Sequence, residues 1–511
     1  MDRTENVTKN LKFTMTGEII LAVLKFVSRR MFLFFLGKEY LGVNGLFTDI
    51  LSVLSLAELG FGVSITYSLY YPAAHNDTEL IKSLMQLYHR FYRVVSVIVL
   101  LAGLSLTPFL GFFIREMPEN VPNLSFIYIL NVVNVSVSYL FAYKSTLLFV
   151  CQKKYIDAMI RAAVTLLSTV IQIIVLYLTG SYIAYLCISI GAVLLQNIAV
   201  SAKADSLYPY LREKDIRPLP DNIMLDIRHN VNAMILHRIG TVAVFSTDNI
   251  LISKFVGVVT AGLYSNYMMV RGFLTIVVNA LFNTFTPAMG NLNATETKER
   301  NHMAFRQLNF FAAWLFGWVS ICLLFLYNPF IDIWLGKGYL LPDMVVFLIV
   351  VNFYVNSMRI PVTNTRSAMG LFRDNRFRSL IEALINLTVS VILAGKWGIT
   401  GVIAGTIIST LALPFWIEPL GLYRYGLKRP CGKYFLHYFV HLLITAAAGT
   451  LTGILCRLAG ETFFGLLLKI VYCTVIPNLI YILVYHRTNE FLFLKNTAGH
   501  IAGRLIRKFY S

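Results

Sequence analysis

The sequence is short of charge, and shorter still of acid: 14% of its 511 residues are charged, with 26 Asp and Glu against 44 Lys and Arg. With 57% hydrophobic residues and a mean hydropathy of +0.67, it has too little polar surface for a soluble globule of ordinary makeup. Cysteine is also scarce. The six (Cys151, Cys187, Cys322, Cys431, Cys456 and Cys473) include no C-x-x-C pair, which excludes a disulfide framework or a cysteine zinc site and leaves them as small apolar fillers. No glycine-rich nucleotide-hydrolase loop is present, which argues against ATP-driven transport within this chain. No loop between apolar runs exceeds roughly 25 residues, so no soluble catalytic domain is expected. His437 and His441 share a helix face at a zinc-ligand spacing, but no third ligand accompanies them and they read as a polar patch. Asn6-Val7-Thr8 and Asn293-Ala294-Thr295 match glycosylation acceptors but fall on the side assigned below to the cytoplasm.

What is present is apolar sequence in long runs. Runs able to cross roughly 30 Å of hydrocarbon lie near 12–36, 41–70, 91–113, 124–150, 158–179 and 182–204. The rest lie near 226–256, 259–289, 304–328, 341–365, 379–396, 398–422, 434–458 and 462–486. The expected fold is an all-α polytopic membrane protein of about 14 transmembrane helices. The first run is too long and too charged for a cleavable leader, so it is expected to stay in the mature protein.

The net charge of +18 is distributed by loop, which argues against nucleic acid as a partner. Basic residues concentrate at the N-terminus (Arg3, Lys9, Lys12), in the even-numbered loops, as in Arg366, Arg373, Arg376 and Arg378, and in the tail at Arg504, Arg507 and Lys508. Odd-numbered loops hold about one each, such as Lys38, Arg115 and Lys337. The positive-inside rule then places both termini in the cytoplasm and favours an even span count. The basic, partly amphipathic tail could lie on an anionic leaflet.

Short pieces recur in order. Phe35-Leu36-Gly37 followed by Gly42 is answered by Phe255-Val256-Gly257 followed by Gly262, and Leu178-Thr179-Gly180 by Leu393-Ala394-Gly395. This predicts two parallel six-helix lobes, residues 1–204 and 223–425, joined by a cytoplasmic linker over 205–222 that carries Pro209, Pro218 and Pro220. Two further helices over 426–486 and a basic tail over 487–511 complete the organisation.

The first run carries Glu18, Lys25, Arg29 and Arg30. A cation at the centre of a membrane helix costs about 2.5–3.5 kcal/mol on insertion scales, so these residues should face protein or water. Glu18, Lys25 and Arg29 are spaced by nearly whole helical turns and share one face, with Arg30 about 100° away. The seventh run carries His237, Arg238 and Asp248, and the eighth Arg271. Guanidinium and ammonium groups suit a diphosphate, making Lys25, Arg29, Arg30, Arg238 and Arg271 candidate substrate-binding residues. The alternative is fixed ion pairing with Glu18, Asp49, Glu58 or Asp248, the same acids that would serve a coupling proton or sodium ion. Glu382 and Glu418, near run ends, are expected at the membrane interface.

The stretch from Leu41-Gly42-Val43-Asn44-Gly45-Leu46-Phe47-Thr48-Asp49 through Glu58-Leu59-Gly60-Phe61-Gly62 resembles the Wzx-type polysaccharide flippases. So do Asp248-Asn249-Ile250-Leu251-Ile252-Ser253, Ala261-Gly262-Leu263-Tyr264-Ser265-Asn266-Tyr267 and Gly398-Ile399-Thr400-Gly401-Val402-Ile403-Ala404-Gly405-Thr406. The resemblance covers nearly the whole chain and implies the multidrug, oligosaccharidyl-lipid and polysaccharide exporter superfamily. It implies a flippase, not an enzyme, moving an undecaprenyl-diphosphate-linked oligosaccharide across a bacterial cytoplasmic membrane for capsule, O-antigen or related polymers. Membrane lipids, glycosyltransferases and a polymerase are its implied partners, and no cofactor is implied. It makes Arg29 or Arg30 and Arg271 analogues of cavity-lining arginines on the first and eighth helices. A cation-coupled multidrug exporter of the same superfamily and a polysaccharide polymerase are the alternatives; the short odd-numbered loops disfavour the polymerase.

Overall fold

The structure, a computed structural model, describes residues 3–58, 60–116, 118–140, 142–213, 216–229, 231, 247–371, 378–460 and 462–496. Of residues 3–16, 18, 19 and 463 it describes the backbone alone. All regular structure among the described residues is helical. Among the described residues, nine helices are long and apolar enough to cross a membrane, or eleven when two bent pairs each count as one span. The chain divides into two compact units, Met1–Ser265 and Asn266–Ser511.

The first unit contains α1 (Arg3–Leu54), α2 (Phe61–His75), α3 (Thr78–Leu106), α4 (Leu124–Leu140), α5 (Ala142–Val150), α6 (Lys154–Thr179), α7 (Tyr182–Leu207) and α8 (Thr247–Phe255). The division falls within α9 (Val258–Asn283). Helix α1 runs along α6, α3 lies against α4, and α7 packs on both α6 and α4. Helix ends are closed by local chemistry. Asp77 accepts from the Leu80 amide at 3.0 Å to start α3, and left-handed Gly180 ends α6. Ser181 then accepts from the Ala184 amide at 3.3 Å to start α7; such caps satisfy backbone groups that helix ends leave open. Within the apolar bundle, Ser96 and Ser136 exchange hydrogen bonds between α3 and α4, as small polar residues do where lipid supplies no hydrophobic drive to association.

Gly37 breaks α1 with φ 83° and ψ −177°, where the expected runs 12–36 and 41–70 meet. Immediately after the break, a Cβ on Gly42 would sit 1.9 Å from the Val258 carbonyl oxygen, and one on Gly262 would sit 2.8 Å from the Gly42 amide nitrogen. The two glycines that repeat one another in sequence are therefore in backbone contact, joining α1 to the start of α9.

The second unit adds α10 (Phe285–Thr295), α11 (Lys298–Leu335), α12 (Asp343–Ser357), α13 (Ile360–Ala368), α14 (Arg378–Ala412), α15 (Pro414–Gly421), α16 (Gly432–Leu458) and α17 (Phe463–Tyr485). Its core is aromatic, with Phe282, Phe305, Phe316, Tyr354, Tyr434 and Tyr438 buried together. Helix α11 packs on α12, α16 and α17, while α12 also packs on α14. Helix α14 doubles back at Gly398, whose φ of 56° and ψ of −132° are non-helical. Asn386 then bonds Thr406 at 3.0 Å and Ser390 bonds the Val402 carbonyl at 3.2 Å. Gly401 and Gly405 make the close return possible, since a Cβ on them would fall 2.1 Å from Leu393 O and 2.2 Å from Ser390 Oγ.

Candidate functional site

Of the cations expected on the first run, Lys25 and Arg30 are exposed and Arg29 is half-buried. Arg29 donates from Nη1 to Ser265 Oγ at 3.1 Å, and Ser265 in turn donates to the Gly262 carbonyl at 2.8 Å. The Gly42–Gly262 backbone contact thus also sets the distance between α1 and the hydroxyl that receives Arg29. Tyr182 and Tyr185 stand close to the guanidinium and pack edge-on against Phe32 at 5.5 and 5.4 Å. Among the described residues, none of Lys25, Arg29 and Arg30 is in an ion pair. A cation at membrane depth without a carboxylate requires water or a polar ligand beside it.

In the second unit, Arg271 is half-buried on α9, and its Nη1 meets the Met268 sulfur at 3.7 Å. No described carboxylate pairs with it. The Glu18 side chain, His237 and Arg238 lie outside the described residues.

Among the described residues, three of the acids take hydrogen bonds from neutral groups. Asp49 accepts from the Asn249 amide at 2.6 Å and Asp248 from the Tyr264 hydroxyl at 3.2 Å. Glu58 accepts from Tyr92 at 2.6 Å, within a chain that runs through Tyr88 to Thr146. Gly62 leaves room for this chain, because a Cβ there would lie 2.6 Å from Glu58 Oε1 and 2.9 Å from both phenolic oxygens. Pairing of Glu58 with Lys25 or Arg29, one of the alternatives left by the sequence, does not occur.

The strongest ion pairing lies elsewhere. Arg359 grips Glu418 with two bonds of 2.9 Å and approaches Glu382 at 3.7 Å. Arg378 also donates to Glu418, and Arg366 donates to the Glu418 carbonyl at 3.0 Å. Glu382 and Glu418, expected at the membrane interface from their place near run ends, are buried within the protein, because α13, α14 and α15 fold over them. Arg366 and Arg378, counted above with the loop cations, belong to this network. Arg359 is absent from the sequence-derived set, although it lies inside the 341–365 run as Arg29 lies inside 12–36. A charge within an apolar run was the signal in both cases.

His437 is exposed, whereas buried His441 bonds the Tyr485 hydroxyl. Among the described residues no His, Cys, Asp and Glu group is arranged to hold a metal ion.

No family model matches the sequence, and no curated protein matches it. Solved structures do match. An inward-facing multidrug resistance MATE family transporter of the MOP superfamily aligns with TM-score 0.64 and 14% identity over 80% of this chain and 95% of that one. The lipid II flippase MurJ in an inward closed conformation aligns with TM-score 0.64 and 12% identity over 93% of this chain and 98% of its own. A Vibrio cholerae MATE transporter gives TM-score 0.57 at 13% identity over 83% and 98%. The fold is shared with these solved membrane proteins.

Proposed function

We propose that this chain is a flippase that carries an undecaprenyl-diphosphate-linked oligosaccharide from the inner to the outer leaflet of a bacterial cytoplasmic membrane by alternating access. On this reading it has 14 spans, both termini in the cytoplasm, lobes over 1–204 and 223–425 and a linker over 205–222. The observation that carries the reading is that Lys25, Arg29 and Arg30, inside the first apolar run, have no described carboxylate against them. A diphosphate supplies the missing negative charge, and the fork of Arg29 has donors beyond the one given to Ser265. Arg271 and Arg238 add cations for the same head group, and Asp49, Glu58 and Asp248 are candidate carriers of a coupling proton or sodium ion.

Similarity in fold extends to multidrug transporters as well, so export of organic cations is the second reading. Three exposed or half-exposed cations on one helix oppose it, because a cationic drug would be repelled.

The test is surface polysaccharide in cells carrying Lys25→Ala, Arg29→Ala and Arg238→Ala together. Polymer output should fall at least tenfold while the protein stays inserted at normal level. Unchanged output would remove these residues from the site, and efflux of a cationic dye by the native chain would favour the second reading.

A further inference from the structure

One end of the second unit carries a polar chamber that the proposed flipping reaction does not use. The first turns of α11 and α16 meet there with the turn that follows α17. An inner cavity of about 150 Å³ is bordered by Asn309, Tyr434, His437, His441 and Tyr485. An outer cavity of about 480 Å³ is bordered by Glu299, His302, Met303 and Arg429. Arg306 and Glu490 border both. The outer volume falls in the range of about 300–1,000 Å³ usual for small-ligand sites.

The lining has a definite hydrogen-bonding demand. Arg306 pairs with Glu490 at 2.5 Å and Arg429 with Glu299 at 3.0 Å, yet each guanidinium carries five N–H donors and has several left over. Lys433, which borders neither cavity, adds its positive field close to His302. Asn309 is 6% exposed, borders the inner cavity, and its Oδ1 accepts no hydrogen bond among the described residues. The best occupant therefore offers anionic oxygens to the guanidiniums and hydroxyl donors to Asn309 and the carboxylates. A phosphate ester bearing hydroxyls does both. The chamber lies at helix ends, where a headgroup layer would meet the protein, and Met303, 61% exposed, gives the outer cavity an apolar margin for an acyl chain.

We propose that this chamber binds the headgroup of a resident anionic phosphoglycerol-type lipid, separate from the flipped substrate. The lipid clasps α11 to the helix pair α16–α17 by bridging Arg306 and Arg429. The bound phosphate shares the guanidiniums with Glu490 and Glu299 and leaves both ion pairs in place.

The test uses the purified full chain in vesicles of phosphatidylglycerol or of phosphatidylcholine and reads the thermal midpoint. The native protein should melt several degrees higher in phosphatidylglycerol, and a variant with Arg306→Gln and Arg429→Gln should lose most of that difference. Should this variant fail to fold, Asn309→Leu and Lys433→Gln, which spare both ion pairs, should each reduce the difference. An undiminished difference in these variants overturns the proposal. So does an equal rise in phosphatidylcholine on adding millimolar inorganic phosphate or glycerol phosphate, since the site would then take a soluble anion. No transport is read, so the outcome is independent of the flippase assignment.

Discussion

Glu418 receives two guanidiniums, those of Arg359 and Arg378, at a buried site, whereas Lys25 and Arg30 are exposed with no carboxylate against them among the described residues. These are opposite uses of charge. Taking one partner from a buried pair leaves the other uncompensated and costs about 3–5 kcal/mol. Removing an exposed, unpaired side chain usually changes stability by less than about 0.5 kcal/mol. Glu418→Ala is therefore expected to lower the detergent melting midpoint steeply, and Glu382→Gln less, because Glu382 meets Arg359 only at 3.7 Å. Lys25→Ala should melt like the native chain while reducing polysaccharide output. Thermal aggregation followed by size-exclusion chromatography measures the first effect, and equal losses for Glu418→Ala and Lys25→Ala would contradict the division of roles.

At the scale of elements, glycine decides where helices break and how closely they pack. Gly398 sits at φ 56° in the reversal of α14, a left-handed conformation that costs other residues about 1–2 kcal/mol. Gly395, three residues earlier, has open space around it. Gly398→Ala should destabilise by about 1–2 kcal/mol, and Gly395→Ala should be neutral or slightly stabilising by about 0.5 kcal/mol through helix propensity. Gly42→Val, driven into the Val258 carbonyl, should separate α1 from α9 and lose the Arg29–Ser265 bond along with stability. Melting midpoints of the three variants check the order.

The helical class and the breaks at Gly37 and Gly398 were legible because apolar length and glycine position are properties of the chain read in line. The partners were not. Asp49 takes its hydrogen bond from Asn249 and Arg29 gives one to Ser265, each about 200 or more residues away, and nothing local in the sequence announces either. The motif around Gly42 and the one around Gly262 could be matched as repeats, yet their direct contact belongs to the fold alone. The burial of Glu382 and Glu418 was hidden for a related reason. Nearness to a run end is visible in sequence, but the folding of α13 to α15 over those carboxylates is not. Arg359 could have been found by the rule that selected Arg29, since both interrupt apolar runs.

For the whole molecule, the charge alternation makes a claim that stands apart from any contact. Lys and Arg crowd the N-terminus, the even loops and the tail, and such asymmetry orients membrane proteins with the basic side toward the cytoplasm. The reversal at Gly398 falls where the eleventh and twelfth expected runs divide, and the break at Gly37 where the first two do; a span boundary at either changes the parity of everything that follows. If both are true turns between spans, the region near Lys38 and that near Lys396 lie outside, while Arg217, Arg429 and the C-terminus lie inside. Fusions of a fluorescent protein should glow at Arg217, Arg429 and Ser511, and fusions of alkaline phosphatase should be active at Lys38 and Lys396. Active phosphatase at Arg429 with a fluorescent C-terminal fusion would mean that the last pair of helices does not span as a hairpin. An active phosphatase at the C-terminus itself would make the span count odd and overturn the even-count topology from which the parallel-repeat arrangement follows.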